Sequence, residues 1–300
     1  MSQNRAQTCR KLFLSFFDGK LLEGTKVYLE GRVRTNRNNG SIGFIDFNDG
    51  SYFKNLQLVY TKGVEAFEES SKLKYGSSIA VEGSIQLTPD MPQPFELHIE
   101  KVALLGDCAE DYPLQKKRHS FEFLREIAYL RPRSNTFNAV FRVRNALAFA
   151  IHKYFQDRGF LYIHTPEITS NDAEGAGQVF HVVPDFKDPT SFFGGNSACL
   201  TVSGQLHVEA FAMAFRDVYT FGPTFRAENS NTTRHAYEFW MIEPEIAFAD
   251  LDDDMDLMES FLKYIISYVL DNCKDEMDFF ERIFREGFER ETEARSRYSI

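Results

Sequence analysis

The residues best equipped for chemistry lie between Phe225 and Phe248, in the stretch FRAENSNTTRHAYEFWMIEPEIAF. Two strand-like runs, VYTFGPTFRAE and YEFWMIEPEIAF, flank a polar turn, which predicts a β-loop-β unit. Arg226, Glu228, Arg234 and His235 stand close to the strand ends, where a rigid sheet can aim them at one ligand. Cations and a carboxylate beside an aromatic, Phe239, suit a molecule with both phosphates and a flat base. The same pattern also fits a solvated hairpin tip, since polar tips are the rule.

The string FRAEN...RH.EF.M.E resembles motif 2 of class II aminoacyl-tRNA synthetases, in the aspartate/asparagine branch. The resemblance implies ATP as ligand. Arg226 would contact the α-phosphate and the amino-acid carboxylate, and Glu228 would sit near the adenine and the 3′ end of tRNA. Arg234 and His235 would reach the distal phosphates, and Phe239 would stack on adenine.

Other segments must position or complete this unit. Residues 25 to 105 alternate short β-rich runs with glycine turns, which predicts a five-stranded OB-fold barrel over 1–108 together with an N-terminal extension. Lys26, Arg32, Arg34 and Arg37 cluster around its first strand, and Phe44 lies in the second. A cation beside an aromatic suits an unpaired base, although solvated arginines and a core phenylalanine would look the same. The resemblance makes this the anticodon-binding domain, with Phe44, Gln57 and Glu96 reading bases, and Arg34 of the basic cluster is a further candidate contact to the anticodon.

Residues 109–134, with Pro113, Pro132 and a KKRH run, read as a hinge. From Asn135 to Arg158, apolar residues recur at three- and four-residue steps and Gly159 follows, which predicts an amphipathic helix. FLYIHTPEI then reads as a strand. Helix, strand and Pro166 resemble motif 1, which implies a homodimer through 135–166.

The run SNDAEGAGQVF reads as a flexible loop carrying one carboxylate, Glu174. CLTVSGQLHVEAFAMAF passes from a strand into a helix that puts Gln205 and Glu209 on one face. On an apolar face Glu209 would be a costly buried acid unless paired, and exposed if the boundary lies elsewhere. By resemblance Glu174 and Glu243 meet the substrate ammonium, and Gln205 holds its main chain. Aspartate-specific members carry a lysine just past the glutamine. Here that place reads His207-Val208-Glu209, and an acceptor such as Glu209 favours the side-chain amide of asparagine and repels aspartate. The implied partners are therefore asparagine and tRNA-Asn.

The acids opening DLDDDMDLMESF read as a helix cap, not a metal site. A later glycine-arginine segment, motif 3, and the acidic stretch that holds Mg2+ in this branch have no match in these 300 residues. The expected fold is α+β: the barrel, then over 135–300 the N-terminal portion of a class II antiparallel-sheet catalytic domain flanked by helices. Two functions compete, an asparagine–tRNA ligase and a noncatalytic tRNA-binding or regulatory fragment. A net charge of -10 argues against bulk electrostatic binding of nucleic acid. Cys9, Cys108, Cys199 and Cys273 form no CxxC pair, which points away from zinc and toward a reducing compartment. With no apolar run long enough for a membrane span, the expected location is cytoplasmic, while the basic, acid-free first seventeen residues leave an organellar leader as a weaker alternative.

Overall fold

A computed structural model describes residues 6–117, 119–175, 178–184, 192–230, 232 and 235–285. By packing, the chain divides into two compact units, 1–143 with 274 onward, and 144–273.

In the first unit, helix α1 (Cys9–Phe17) precedes strands β1 (Lys26–Asn38), β2 (Ile42–Asn48) and β3 (Leu56–Thr61). A short helix, α2 (Phe67–Lys72), leads to β4 (Ser78–Leu87) and β5 (Phe95–Gly106). The strands close into a barrel in the order β1-β2-β3-β5-β4, as the alternating runs predict. Alternation decides which side chains fill it: Leu29, Val33, Ile45, Phe47, Leu56, Leu58, Ile79, Phe95 and Leu97 are fully buried, and the residues between them face outward. Closure leaves no free sheet edge.

The connector carries α3 (Phe121–Glu126), and Leu114, Leu124 and Leu130 gather there into a small core of their own. It is thus packed, where sequence suggested a plain linker.

Helix α4 (Asn135–Asp157) ends where expected, with Gly159 in the left-handed region at φ 83°. The strand expected at FLYIHTPEI is only β6 (Leu161–Tyr162), which pairs in parallel with β10 (Asp217–Phe225). Pro166 lacks an N–H, and the chain leaves the sheet before reaching it. Between them, β7 (Ile168–Thr169), β9 (Ala198–Leu200) and β8 (His181–Val182) form a small sheet in the order β7-β9-β8. Helix α5 (Gln205–Phe215) leads into β10, which pairs antiparallel with β11 (Glu238–Ile246). Helix α6 (Leu251–Asn272) opens on a capping box between Asp250 and Asp253, so the acids there do serve the helix end.

Register sorts the β10–β11 ribbon into two faces. Tyr219, Phe221, Ile242 and Ile246 pack with Ile151, Tyr154 and Phe155 of α4 and with Leu257, Phe261 and Ile265 of α6. The opposite face presents Thr220, Thr224, Phe239, Met241, Glu243 and Glu245. One face makes the core, and the other is left for chemistry.

Candidate active site and nucleic-acid face

On the open face of the ribbon, Phe239, Met241 and Glu243 are successive alternate residues of β11. At about 3.3 Å per residue, Phe239 and Glu243 stand roughly 13 Å apart. Arg226, just past β10, is fixed by its backbone N–H bonding the Tyr237 carbonyl at 3.0 Å. Its guanidinium lies 5.4 Å from the Phe239 ring centre and 3.9 Å from Met241 Sδ, and it forms an ion pair with Glu174. Arg226 Nε is buried and finds no acceptor among the described residues. A buried, unmatched N–H on a cation is the mark of a place for an anion.

At the far end of the row, Glu243 accepts a hydrogen bond from Ser203 Oγ and another from the Gly204 N–H at 3.1 Å. Ser203 Oγ in turn accepts the Gln205 N–H at 3.1 Å, so this carboxylate fixes the start of α5. Only glycine fits at 204. A Cβ there would lie 2.7 Å from Thr165 Oγ1 and 2.9 Å from Thr220 Cγ2. A small cavity of about 90 Å³ opens beside this point, lined among others by His164, Thr165, Gly204, Thr220 and Glu243.

Gln205 and Glu209 do share one side of α5, but both are exposed. Of the two readings left open for Glu209, the structure gives the exposed one: the buried positions of α5 are Val208 and Ala212. The carboxyl that does feel burial is Glu245, which the sequence reading missed. Desolvation raises it above the ordinary glutamate range; Gln205 donates to it and pulls the other way, while Glu209, Glu243 and Asp254 repel its charge. Glu243, Glu245 and Glu209 thus make this end electronegative, which suits an ammonium. The alternation 239, 241, 243, 245 was the available signal.

In the turn, Glu228 and His235 approach each other to 3.7 Å, and His235 Nδ1 bonds Thr232 Oγ1 at 2.6 Å. Arg234 lies outside the described residues.

The barrel carries a second candidate face. Its register aligns Arg37, Phe44, Val59 and His98 in one row across β1, β2, β3 and β5. Thr35, Asp46, Gln57 and Glu96 form the next. In the second row Thr35 Oγ1 donates to Asp46 at 2.6 Å and Gln57 Nε2 donates to Glu96 at 2.8 Å. Phe44, Gln57 and Glu96 are thus brought together.

Arg34 is not. The β1–β2 register shifts between Val33 and Thr35, so Arg34 is the extra residue of a bulge, and a bulge re-aims its side chain. Its guanidinium bonds the Arg133 carbonyl at 2.6 Å and Asn135 Oδ1 at 3.1 Å, on the connector. The same bulge flips the alternation and puts exposed Arg37 opposite Phe44. Nothing in the sequence marked that bulge.

Comparison with known proteins follows this division. The family described as tRNA synthetases class II (D, K and N) matches residues 120–297, and the OB-fold nucleic acid binding domain matches residues 27–105. The asparagine–tRNA ligase of Alkaliphilus oremlandii is 57% identical over 88% of this chain and 59% of its own length. That of Acetivibrio thermocellus is 57% identical over 86% of this chain and 58% of its own. Asparaginyl-tRNA synthetase from Pyrococcus horikoshii, solved in complex with asparaginyl-adenylate, superposes with a TM-score of 0.79 at 29% identity, covering 92% of this chain and 61% of that one. The chain therefore spans about 59% of the length of the curated relatives it matches.

Proposed function

The chain belongs to the class II tRNA synthetases of the D, K and N group, and we propose that it is part of an asparagine–tRNA ligase that activates asparagine with ATP and passes it to tRNA-Asn. The observation that carries the reading is the β11 row. A stacking ring at Phe239, a guanidinium with an orphan N–H at Arg226 and an acidic end at Glu243 follow one another along about 13 Å, in the order in which an aminoacyl adenylate carries its base, its phosphate and its ammonium.

Arg226 binds the α-phosphate and the amino-acid carboxylate, holding the two reacting groups in line and offsetting the charge that builds on phosphorus. Glu174 and Glu243 take the ammonium, and Gln205 holds the main chain. Glu209 accepts the side-chain amide N–H. Glu228, Arg234 and His235 attend the rest of the nucleotide and the 3′ end of tRNA. Magnesium would offset phosphate charge when bound. The described residues offer no cluster of three metal-ligating side chains. Residues 1–108 bind the anticodon through Phe44, Gln57 and Glu96, 109–134 are the hinge, and the catalytic part runs from 135. The protein works in the cytoplasm as a homodimer through 135–166.

The test is ATP–pyrophosphate exchange, measured on the chain alone and on the chain fused to the C-terminal portion of the Alkaliphilus ligase. Exchange by the fusion should depend on asparagine over aspartate. Glu209→Gln should narrow that preference by about 1.5–3 kcal/mol, the worth of a hydrogen bond to a charged group. Equal exchange with both amino acids would sink the asparagine reading. Exchange by the fusion but not by the chain alone would favour the noncatalytic tRNA-binding alternative for this chain by itself.

A further inference from the structure

His98 stands on β5 of the barrel, beside Glu96. It lies in the same cross-strand row as Phe44, with buried Val59 between them. Two strand spacings separate Phe44 from His98, roughly 10 Å. Its Nε2 lies 2.9 Å from Glu96 Oε1, while Gln57 Nε2 holds the other carboxylate oxygen at 2.8 Å. A carboxylate only accepts, so Nε2 carries the hydrogen, and in the tautomer that this bond selects Nδ1 is an acceptor with no partner among the described residues. The His98 side chain is 37% exposed, so a ligand can reach it.

We propose that His98 is a further specificity-determining residue of the barrel: anchored through Nε2 on Glu96, it accepts at Nδ1 an N–H from the base next to the one stacked on Phe44. The chemistry selects a base with an imino N–H at its edge, uracil or guanine, over one that offers a lone pair there. This rests on the anticodon-binding reading of the barrel.

The experiment uses the full chain and the anticodon hairpin of tRNA-Asn, intact and with each anticodon base removed in turn, with dissociation constants read by fluorescence anisotropy. His98→Ala should weaken binding of the intact hairpin by about fivefold to tenfold, the usual worth of one hydrogen bond. His98→Gln, which keeps a donor for Glu96 and an acceptor beside it, should stay within about threefold of wild type. His98→Phe should bind as weakly as His98→Ala. The His98→Ala loss should vanish on one abasic hairpin, and a different one from that on which the Phe44→Ala loss vanishes. The proposal is overturned if His98→Phe binds like wild type, if His98→Ala does, or if the His98→Ala loss is the same on every abasic hairpin. Loss with Phe44→Ala but not with His98→Ala removes only the role of His98. No loss with either removes the anticodon reading itself.

Discussion

The outer face of the barrel and the open face of the β10–β11 ribbon both present alternate residues of strands, but they are held in opposite ways. On the barrel every strand is paired on both sides, and the polar residues brace one another along the lattice, as Gln57, Glu96 and His98 do. On the ribbon, the charges are held by segments outside the two strands: Arg226 by Glu174, and Glu243 by Ser203 and Gly204. A closed lattice offers a surface already in position. A ribbon with loops offers charges held by loop partners, Arg226 by the opposite charge of Glu174, and a ligand that replaces such a partner must spend part of its binding energy on the exchange.

The largest effect that tests this contrast is on stability. Phe47 is fully buried in the barrel, and Phe47→Ala should cost about 3–5 kcal/mol. Trp240 on the ribbon is 54% exposed, and Trp240→Ala should cost far less. Urea unfolding followed by circular dichroism compares the two. Similar losses would mean that the barrel is not the self-sufficient part.

Next comes Arg226→Ala, which should lower exchange by the fused ligase about 10²–10³-fold, the range seen when one preorganised charge donor is lost. It should do so with asparagine and aspartate alike, because the phosphate and carboxylate are common to both. Glu174→Gln, which removes the charge opposite Arg226, should instead act mainly on the amino-acid KM. If Arg226→Ala shifted only KM, its interaction would be made equally in the ground state, and its role on phosphorus would fail.

Smaller again is Phe44→Ala, expected to cost about 1–3 kcal/mol of hairpin affinity, the worth of a lost base stack. Phe44 is only half-buried on the outer face, so stability should barely change. A large fall in unfolding free energy would return Phe44 to the core.

The same contrast explains what was legible in the sequence. Period-two alternation was enough for the barrel and for both ribbon strands, because burial on one side dictates it. Phe44, Gln57 and Glu96 were named together by the family resemblance alone, and the register is what sets them on one face. Periodicity failed at Arg34, because one inserted residue turns a side chain away without any change in composition. It left Glu209 open between a buried and an exposed place, since a helix boundary of one or two residues decides which side is buried. Ser203 and Gly204 escaped notice because their importance comes from Glu243, forty and thirty-nine positions away. Contacts that depend on loop closure leave no local period to read.

The smallest expected effect separates the two faces by pH. On the barrel, the hydrogen bond from Lys26 draws Glu100 below the ordinary glutamate range. On the ribbon, Glu245 moves the other way, raised first by burial and then by the charges of Glu209, Glu243 and Asp254, against the pull of Gln205. A carboxyl raised in the folded chain binds more protons there than in the unfolded chain between the two pKa values. Its contribution is therefore most favourable below the unfolded value, about 4.3 for glutamate, and is lost as pH climbs through the higher folded value. Glu245→Gln keeps the shape and an oxygen that can accept from Gln205 while removing the charge. The variant should match wild type below about pH 4 and be the more stable of the two at neutral pH, with a flatter slope of unfolding free energy between. Urea melts across that range decide it. A variant less stable than wild type at neutral pH would mean that the Glu245 charge has a stabilising partner, and that the acidic end of the ribbon is not under the repulsion that makes it ready for an ammonium.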